Sequence, residues 1–482
     1  MQKSKEQKLI ISSSLKTPLI KINALAGTGK TTTLIFVAES NPDDNILYMV
    51  FNKANQLEAV KVFPENVEPR TVHSLAYRAV AQNTNINLNN IVKYSYKEIA
   101  DMYDIDYNQA FFVFKAFEEY CNGESLEFNR KDSISKKMFK DMDTGKIPPT
   151  YSFLLKKFHL LLVDGNFSHS YTMAMIDESQ DTNLVTLAIF NLLKIDKKVY
   201  VGDDNQRIYS FRGSKNIFNY VNGLDLFLSE TYRSNKKIVN FANIVLKRFK
   251  DYPVDMTTNV KDKNKISDTA YVSRTNSSLI VKMDNLISDG KKFKTIREPS
   301  DIFSLVLDLY HFKHREFFKI KTNRYLKKFK NIEEVEDYAD MTDSTELITA
   351  LKILKKFGKK LFDIKAIADK YFYDRALKVN IFLTTAHTSK GLEWDKVIIV
   401  DDFKEFSTIV SKAKFKSVKK FRNKIDKINP EIIDEINLMY VAITRARQDI
   451  EIPKKLKREL EMSEKELNKI IKEKFKESKK KR

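Results

Sequence analysis

Residues 22 to 34 read Ile22-Asn23-Ala24-Leu25-Ala26-Gly27-Thr28-Gly29-Lys30-Thr31-Thr32-Thr33-Leu34. An apolar, β-branched run from Leu19 to Ile22 precedes this stretch, and a helical pattern begins at Thr31. A strand, a glycine-rich turn and a helix in that order form the loop that cradles phosphate groups. We therefore predict a nucleoside triphosphate site here; the alternative is a glycine-rich turn before an ordinary helix.

The chemistry of this loop follows from its residue types. Gly27 and Gly29 have no Cβ, so the chain can turn tightly and direct its N–H groups at phosphate oxygens beside the positive end of the helix. Lys30 is expected to neutralise the β and γ phosphates, and the Thr31 hydroxyl to bind Mg²⁺. The common pattern has glycine where this chain has Ala24. The nucleotide-binding residues predicted in the loop are Ala26, Gly27, Thr28, Gly29, Lys30, Thr31 and Thr32.

The composition limits the class of protein. The chain has 482 residues, a length typical of about three domains. Its net charge of +21 and pI near 9.4 indicate a polyanionic partner. Part of the lysine excess is also what an AT-rich coding genome would produce. The single cysteine, Cys121, excludes an intrachain disulfide and a thiolate metal cluster. No apolar run approaches the roughly 20 residues that span a bilayer, so we expect a soluble, intracellular protein without a membrane partner.

Two acids follow an apolar run at Tyr171 to Ile176. After a predicted strand, Asp177 is placed to hold Mg²⁺ through its water shell, and Glu178 to orient or activate an attacking water. A strand followed by two acids also arises by chance, but this one lies downstream of the Lys30 loop. Gln206, after the next apolar run, is an amide that can sense the γ phosphate.

Other residues lie where strands are predicted to end, and such positions line the ligand crevice of a doubly wound sheet. Tyr209 and Phe211 offer flat faces on which bases can stack. Phe51, His73 and Phe211 also suit core packing. Gln7, upstream of the first strand, suits either an adenine contact or a solvent-facing position. The residues predicted to contact a second ligand in this half of the chain are Phe51, Asn52, Thr71, His73, Tyr209 and Phe211.

Four segments in order carry a family resemblance: Ala-Gly-Thr-Gly-Lys-Thr at 26–31, Thr-Val-His-Ser-Leu-Ala at 71–76, Asp-Glu-Ser-Gln-Asp at 177–181, and Val-Gly-Asp-Asp-Asn-Gln-Arg-Ile-Tyr-Ser-Phe-Arg-Gly at 201–213. They resemble the superfamily 1 DNA helicases of the UvrD/Rep/PcrA group. The first half looks most similar to the F-box DNA helicase branch, although no F-box is evident. Phe211 stands where bacterial members often have tryptophan, and the stretch around Phe51 can be aligned in two ways.

The second half of the chain completes the resemblance. The segments concerned are 228–234 (Leu-Ser-Glu-Thr-Tyr-Arg-Ser), 384–394 (Thr-Thr-Ala-His-Thr-Ser-Lys-Gly-Leu-Glu-Trp) and 437–447 (Asn-Leu-Met-Tyr-Val-Ala-Ile-Thr-Arg-Ala-Arg). The resemblance implies that Tyr232 stacks on adenine, Arg233 reaches the γ phosphate, Glu393 contacts the ribose, Thr385 and His387 contact DNA, and Arg445 supplies an arginine finger. It further implies that two lobes close on one ATP.

The implied fold class is α/β, with two RecA-like P-loop NTPase domains on parallel sheets, each carrying a helical insertion. The predicted boundaries are 1–85 and 171–227 for the first motor domain, 86–170 for its insertion, 228–290 and 379–452 for the second motor domain, 291–378 for its insertion, and 453–482 for a basic helix or tail. That last segment has an apolar stripe at Leu467, Ile471 and Phe475. It suits nucleic-acid contact or a frayed, solvated tail, and we prefer the second.

The resemblance implies an ATP- and Mg²⁺-dependent DNA helicase that acts in replication, recombination or repair. It would translocate 3′ to 5′ on single-stranded DNA, bind single-strand/duplex junctions and work as a monomer, with a loading factor or a replication or recombination protein as a possible partner. Two other classes stay open: a translocase that mainly strips proteins such as recombinase filaments, and a nucleic-acid-binding adaptor with an inactive ATP site. An RNA substrate is a further variant. The intact lysine and paired acids argue against the adaptor.

Overall fold

The computed structural model describes residues 3–50, 52–129, 132–210, 218, 220–263, 265–342 and 344–480. The predicted DNA contacts Phe51 and Phe211 lie outside the described residues. The chain divides into two compact units, Met1–Ser229 and Glu230–Arg482. Each unit is described by itself below.

The first unit is built on a parallel sheet of six strands in the order β3-β2-β4-β5-β1-β6. Because every pairing is parallel, all the carboxyl ends meet at one edge, where ligands bind in open α/β sheets. The strands are β1 Leu19–Ala24, β2 Ile46–Val50, β3 Val67–Thr71, β4 Met173–Ile176, β5 Lys197–Gly202 and β6 Leu224–Leu228.

Both faces of this sheet are covered, as the apolar composition of its strands requires. In β2, Ile46, Tyr48 and Val50 belong to one core cluster, whereas Leu47 and Met49 belong to the cluster on the other face. This alternation is the period of two expected for a strand. The sheet is therefore held from both sides, and its ends are fixed in position.

The helices of the first unit pack around the sheet and in a block between β3 and β4. They are α1 Lys5–Ser14, α2 Lys30–Glu39, α3 Lys53–Val62, α4 Val72–Asn83, α5 Tyr96–Tyr103, α6 Tyr107–Asn122, α7 Ser133–Asp143, α8 Tyr151–Val163 and α9 Leu184–Leu192. Pro148 and Pro149 lie between α7 and α8. Phe117 of α6 and Phe153 of α8 share a core cluster with Ile176 of β4, so the block is anchored on the sheet.

The second unit has a parallel sheet in the order β10-β11-β9-β12-β13, and a small parallel pair formed by β7 and β8. Strand β10 lies within the segment predicted to be a helical insertion, so the sheet continues beyond residue 290. The strands are β7 Glu230–Thr231, β8 Thr257–Thr258, β9 Thr269–Ser273, β10 Lys294–Thr295, β11 Ile381–Thr385, β12 Trp394–Ile399 and β13 Ala446–Glu451.

The helices of the second unit include a block between β10 and β11. They are α10 Lys236–Val245, which continues as a π-helix Leu246–Lys250, and α11 Asn276–Ser288, α12 Pro299–Lys313, α13 Ile332–Met341, α14 Thr345–Phe357, α15 Lys360–Tyr373, α16 Phe406–Lys412, α17 Val418–Arg422, α18 Pro430–Ile443, α19 Lys454–Glu461 and α20 Glu464–Lys480. Met283 of α11 and Phe303 of α12 share one core cluster with Leu383 of β11. The helical block therefore shares a hydrophobic core with the sheet domain.

The C-terminal segment packs against the second unit. Leu467 and Ile471 of α20 are 0% exposed, and Lys474 of α20 pairs with Glu405 beside α16. Our preferred interpretation of this segment as a frayed, solvated tail is therefore wrong for the helix up to residue 477. The apolar stripe seen in the sequence is the face that packs.

The predicted fold class is confirmed, because each unit combines a parallel sheet with a block of helices. The boundaries within the units stay predictions; the two compact units meet after Ser229, and the predicted division falls after residue 227. Among the described residues, no helix is both long enough and apolar enough to cross a membrane.

Candidate functional site

The loop between β1 and α2 has the backbone geometry of a phosphate cradle. Gly27 and Gly29 adopt left-handed conformations with φ of 72° and 77°, which residues with a Cβ rarely tolerate. Thr28 donates to the Leu25 carbonyl at 2.8 Å and fixes the turn. Gly29 immediately precedes α2, and no side chain caps the start of this helix. The first N–H groups of the helix are therefore available to a ligand.

The residues around the cradle differ in exposure. Ala24 and Ala26 are buried, at 0% and 2% exposed. Thr31 is exposed in the first turn of α2, and Thr32 is partly buried. Lys30 and Thr31 are consecutive at the start of this helix, which is the order expected for a lysine that binds phosphates and a hydroxyl that binds their Mg²⁺.

Lys30 is paired with the second of the two predicted acids. Its Nζ lies 2.7 Å from Oε1 of Glu178. Burial alone would lower the pKa of Lys30, but the carboxylates of Glu178 and Asp177 outweigh it, and the pKa is raised. Glu178 has a φ of 48°, an uncommon left-handed conformation for a residue with a side chain and a small local strain. The turn after β4 is therefore shaped to hold this carboxylate at the lysine.

Asp177 lies at the carboxyl end of β4 beside β2. Tyr48 donates its hydroxyl to Oδ2 of Asp177 at 2.9 Å, and the Glu178 N–H donates to Oδ1 at 2.8 Å. Burial and the nearby Glu178 raise the pKa of Asp177 against the opposing effect of Lys30. The tyrosine and the backbone therefore fix the orientation of Asp177.

Gln206 joins the same network through two residues that the sequence analysis did not assign. Gln180 donates to Glu178 and accepts the N–H of Asp203 at 3.0 Å. Gln206 donates to Oδ2 of Asp203 at 2.7 Å. Burial raises the pKa of Asp203, although hydrogen bonds from Gln206 and the charge of Lys30 oppose this. One continuous network therefore links Lys30, Glu178 and Gln206.

The charges in this network suit a bound cation. Lys30 faces three carboxylates, those of Asp177, Glu178 and Asp203. Oxygen donors with excess negative charge are what Mg²⁺ prefers, and it needs only one or two protein carboxylates beside phosphate and water. The residues present therefore fit the ion that the sequence predicts.

Gln7 is buried, at 4% exposed, so the solvent-facing alternative is wrong. Its Oε1 accepts the Ser4 N–H at 3.0 Å and caps α1. Its Nε2 donates to Thr33 of α2 at 3.1 Å. Gln7 thus ties α1 to the helix after the phosphate loop, and its predicted contact with adenine stays a prediction.

A cavity of about 270 Å³ lies next to this network in the first unit. It brings together His73 and Tyr209, two of the predicted DNA contacts, and Asp177. Burial lowers the pKa of His73, which favours the neutral ring, and Tyr151 packs edge-on with its centroid at 5.6 Å. The described residues that line it are Met49, Val50, Val72, His73, Asn122, Leu155, Ile176, Asp177, Asp181, Thr182, Asn183, Thr186 and Tyr209.

The helical block contributes to this cavity, which the sequence analysis did not foresee. Asn122, the last residue of α6, accepts a hydrogen bond from Asn183 at 2.8 Å, and Asn183 caps α9. Leu155 of α8 lines the same space. The cavity therefore lies between the ends of the sheet and the helical block.

Asn52 and Thr71 are not among the residues that line this cavity. Asn52 is exposed and caps α3 by accepting the Asn55 N–H at 2.8 Å. Thr71 caps α4 by accepting the Ser74 N–H at 3.1 Å. Helix capping accounts for both residues locally, and their contacts with DNA stay predictions.

In the second unit, Arg233 and Glu393 form an ion pair. Nη1 of Arg233 also donates to the Thr444 carbonyl at 3.2 Å. Arg447 reaches the same glutamate at 3.8 Å, and its Nε lies 3.0 Å from Asp395. The structure thus brings Arg233 and Glu393 together beside the segment that holds Arg445.

Arg445 is buried, at 1% exposed. Its guanidinium donates to the carbonyls of Val441 at 3.0 Å and Leu392 at 3.2 Å, and to Oγ1 of Thr444 at 3.1 Å. The side chain therefore also ties the end of α18 to the loop before β12.

The remaining predicted residues of the second unit have different surroundings. Tyr232 is 43% exposed, as a ring that stacks on a ligand requires. Thr385 ends β11 and donates to Thr388 at 3.0 Å, and His387 is partly buried in the turn between them. Their contacts with adenine and DNA stay predictions.

Two of the unassigned residues were visible in the sequence. Gln180 lies inside the Asp-Glu-Ser-Gln-Asp segment, and Asp203 precedes Gln206 by three residues. Tyr48 and Asn122 had no local signal, because they reach the site only through strand pairing and helix packing.

Two family descriptions match the chain. The UvrD/REP helicase N-terminal domain matches residues 108–224, and the UvrD-like helicase C-terminal domain matches residues 292–455. Together they cover more than half of the chain and fall in both compact units.

Named relatives agree with these matches. The chain is 27% identical to F-box DNA helicase protein 1 of Schizosaccharomyces pombe, over 92% of this chain and 56% of the relative. It is 23% identical to F-box DNA helicase 1 of Gallus gallus, over 92% and 48%, and 30% identical to ATP-dependent DNA helicase PcrA of Staphylococcus epidermidis, over 28% and 17%. The chain spans about half the length of the two F-box relatives.

Proposed function

The chain belongs to the UvrD-like helicases, and from that membership we propose that it is an ATP-dependent DNA helicase that translocates 3′ to 5′ on single-stranded DNA. The observation that carries the proposal is the network that links Lys30, Glu178 and Gln206 at the end of the first sheet. Lys30 contacts Glu178 directly, and Gln206 is connected to Glu178 through Asp203 and Gln180. A phosphate that binds Lys30 would therefore alter the hydrogen bonds that connect Glu178 to Gln206.

ATP is the proposed substrate, bound on the loop at Gly27 and Gly29. Lys30 would bind the β and γ phosphates, and Thr31 and Asp177 would hold Mg²⁺. The ion supplies positive charge that stabilises the transferring phosphoryl group. Glu178 would accept a proton from the attacking water. Gln206 would contact the γ phosphate, and its hydrogen bond to Asp203 would connect that contact to Gln180.

The arginines of the second unit are proposed to complete ATP hydrolysis. In phosphoryl transfer, an arginine that reaches the γ phosphate is worth roughly 10³ to 10⁵ in rate. The guanidinium of Arg233 is paired with the carboxylate of Glu393. A guanidinium binds phosphate oxygens through the same kind of charged hydrogen bond. Tyr232 would stack on adenine, and Arg445 would act with Arg233.

Single-stranded DNA is proposed to bind the first unit at the cavity lined by His73 and Tyr209. Its closeness to Asp177 supports a link between the DNA strand and the hydrolytic site, because one residue borders both. Aromatic stacking tolerates every base, which suits a motor that moves along any sequence. Thr385 and His387 would supply contacts from the second unit.

The test is ATPase activity of the full chain with and without oligo(dT), followed by unwinding of duplexes that carry a 3′ or a 5′ single-stranded tail. We expect oligo(dT) to stimulate ATPase and the 3′-tailed duplex to be unwound. An ATPase that DNA does not stimulate would refute the motor. Unwinding of only the 5′-tailed substrate would refute the polarity.

A further inference from the structure

The positive charge of the chain is concentrated in its second half. Residues 1–229 contain 27 Lys and Arg against 26 Asp and Glu, whereas residues 230–482 contain 58 against 38. Almost the whole net charge of +21 therefore belongs to the second unit. We therefore expect a polyanion site on a basic surface of that unit.

The strongest local concentration lies between β12 and α18. Residues 412–427 contain eight Lys and Arg and one acid, Asp426. Seven of these residues are lysines, and all seven are exposed. Among the described residues, no carboxylate lies within ion-pair distance of six of them, whereas the arginine, Arg422, pairs with Asp251 and Glu464. We call these six residues the lysine platform: Lys414, Lys416, Lys419, Lys420, Lys424 and Lys427.

The platform is fixed to the body of the second unit. Val418 and Phe421 of α17 are 0% exposed, so their neighbours Lys419 and Lys420 are held at the surface. The Val418 N–H donates to Oδ1 of Asn468 of α20 at 2.8 Å. Lys416 lies over the ring of Phe475, 5.2 Å from its centroid. Lysines on a packed element lose less entropy on binding than lysines on a free tail.

The surroundings indicate which form of nucleic acid the platform fits. Single-strand sites combine positive charge with aromatic faces on which bases stack. Among the described residues after Leu392, no large hydrophobic side chain is fully exposed, and the rings of Phe415 and Phe475 are partly buried. Duplex DNA presents its phosphates outward and its bases inward, so a surface of lysines alone complements it.

We propose that the lysine platform binds the phosphate backbone of duplex DNA. The choice of DNA rests on the proposed function. The contact would carry no sequence information, because lysines that meet phosphates position a duplex without reading its bases. In a helicase, such a contact would hold the duplex that has yet to be opened.

The experiment compares two full-length variants with the same change in net charge. K419Q/K420Q/K424Q/K427Q removes four platform charges. The matched control, K16Q/K61Q/K97Q/K194Q, removes four exposed lysines of the first unit for which the described residues show no ion pair. A third variant, K419R/K420R/K424R/K427R, retains the charge. Binding to a blunt duplex and to oligo(dT) is measured by fluorescence anisotropy across a salt series.

For the glutamine variant of the platform, we expect affinity for the duplex at about 0.1 M salt to fall by about 10³ and the slope of log K against log salt to flatten by about 3 to 4, near 0.9 for each lost phosphate contact. Oligo(dT) binding should change little, and the control and arginine variants should bind like the unaltered protein. Unchanged duplex binding, an equal loss in the control, or an equal loss on oligo(dT) would each overturn the proposal. If the unaltered protein lacked DNA-stimulated ATPase, the proposed motor would fail while this binding result stood.

Discussion

Lys30 and Glu178 form an ion pair with Nζ and Oε1 2.7 Å apart. The pair joins the start of α2 to the turn after β4, and Gln180 contacts the same glutamate. The lysine that is proposed to bind phosphate and the acid that is proposed to act on water therefore hold each other in place. A phosphate that binds Lys30 would release the carboxylate of Glu178 for its own chemistry.

Replacement of Glu178 with glutamine tests this arrangement. We expect E178Q to bind ATP with similar affinity and to lose ATPase activity by about 10² to 10⁴, the usual contribution of a general base. K30A should lose ATP affinity as well, because it removes the charge proposed to bind the β and γ phosphates. Steady-state ATPase and nucleotide-binding titrations make the measurement. E39Q, at an exposed position on the same helix as Lys30, is the control, and undiminished turnover in E178Q would contradict the assignment.

Gly202 offers a second test of the network. A Cβ at this position would lie 2.3 Å from Oε1 of Gln180 and 2.7 Å from Oγ of Ser179. Because Gln180 is 0% exposed, it has little room to move, and its contacts with Glu178 and Asp203 would be disturbed. We expect G202A to lose ATPase activity about tenfold or more, as misplaced catalytic groups do.

The matched glycine is Gly145, which has a φ of +73° and nothing within 4 Å of an added Cβ. G145A should reduce the free energy of unfolding by about 1 kcal/mol through backbone strain alone and leave ATPase unchanged. Thermal denaturation and ATPase assays separate the two effects. Equal ATPase in both variants would show that the contact between Gly202 and Gln180 is not needed.

Tyr209 tests the cavity as a site for single-stranded DNA. Y209A should weaken oligo(dT) binding about tenfold, since stacking contributes roughly 1 to 3 kcal/mol per base. ATPase without DNA should be retained, because Tyr209 has no proposed contact with ATP. The DNA concentration needed for half-maximal stimulation should rise. Y107A removes a 50% exposed ring on α6 and serves as the comparison. A similar loss of affinity in both variants would refute a specific role for the cavity.

The motifs and fold class were predictable because they depend on local patterns. The Lys30 loop and the Asp177-Glu178 pair each follow an apolar strand, and such patterns survive in a single sequence. Helix capping by Asn52 and Thr71 was equally local, yet the same residues were interpreted only as ligand contacts. A polar residue that begins a helix has two explanations, and the sequence alone does not choose between them.

The residues that the sequence analysis missed depend on long-range packing. Tyr48 reaches Asp177 across a separation of 129 residues because β2 pairs with β4. Asn122 meets Asn183 because the helical block folds onto the sheet. The burial of Arg445 likewise depends on the Leu392 carbonyl, 53 residues away. Strand order and helix packing determine such contacts, and a local sequence pattern specifies neither.

Lys156 on α8 predicts a pH dependence of stability. Its side chain is 0% exposed, and its Nζ donates to the Gly123 carbonyl at 3.0 Å. Burial lowers its pKa to about 8, against the opposing effects of Cys121 and Glu124. Between pH 8 and the ordinary lysine pKa near 10.4, the unfolded chain binds more protons at this position than the folded chain does. The contribution of Lys156 to stability therefore rises with pH across this window and is constant below it.

The measurement is the difference in free energy of unfolding between the unaltered protein and K156M from pH 7 to pH 10. We expect the difference to shift in favour of the unaltered protein above pH 8, by up to about 1.4 kcal/mol per pH unit. K97M, at an exposed lysine, should show no such shift. A flat difference across this range would mean that Lys156 keeps an ordinary pKa in the folded protein.

Arg233 and Arg445 are both proposed to act on ATP, but their surroundings predict different consequences of mutation. Arg233 pairs with Glu393, which is partly exposed, so R233A should lower kcat by about 10³ or more with little loss of stability. Arg445 donates to two backbone carbonyls while buried, and R445A would leave both acceptors without their donor. We expect R445A to lose about 2 to 4 kcal/mol of unfolding free energy in addition to ATPase activity.

ATPase at saturating ATP and denaturant unfolding of the same preparations distinguish the two arginines. R447A is the matched control, because Arg447 contacts Glu393 and Asp395 and has no proposed contact with ATP. It should retain most of its kcat. R233K should stay far below the unaltered protein, since lysine cannot form the planar, two-pronged contact of a guanidinium. Full ATPase in R233A would remove the arginine from the proposed mechanism, because a group that stabilises the transferring phosphate cannot be lost without a fall in kcat.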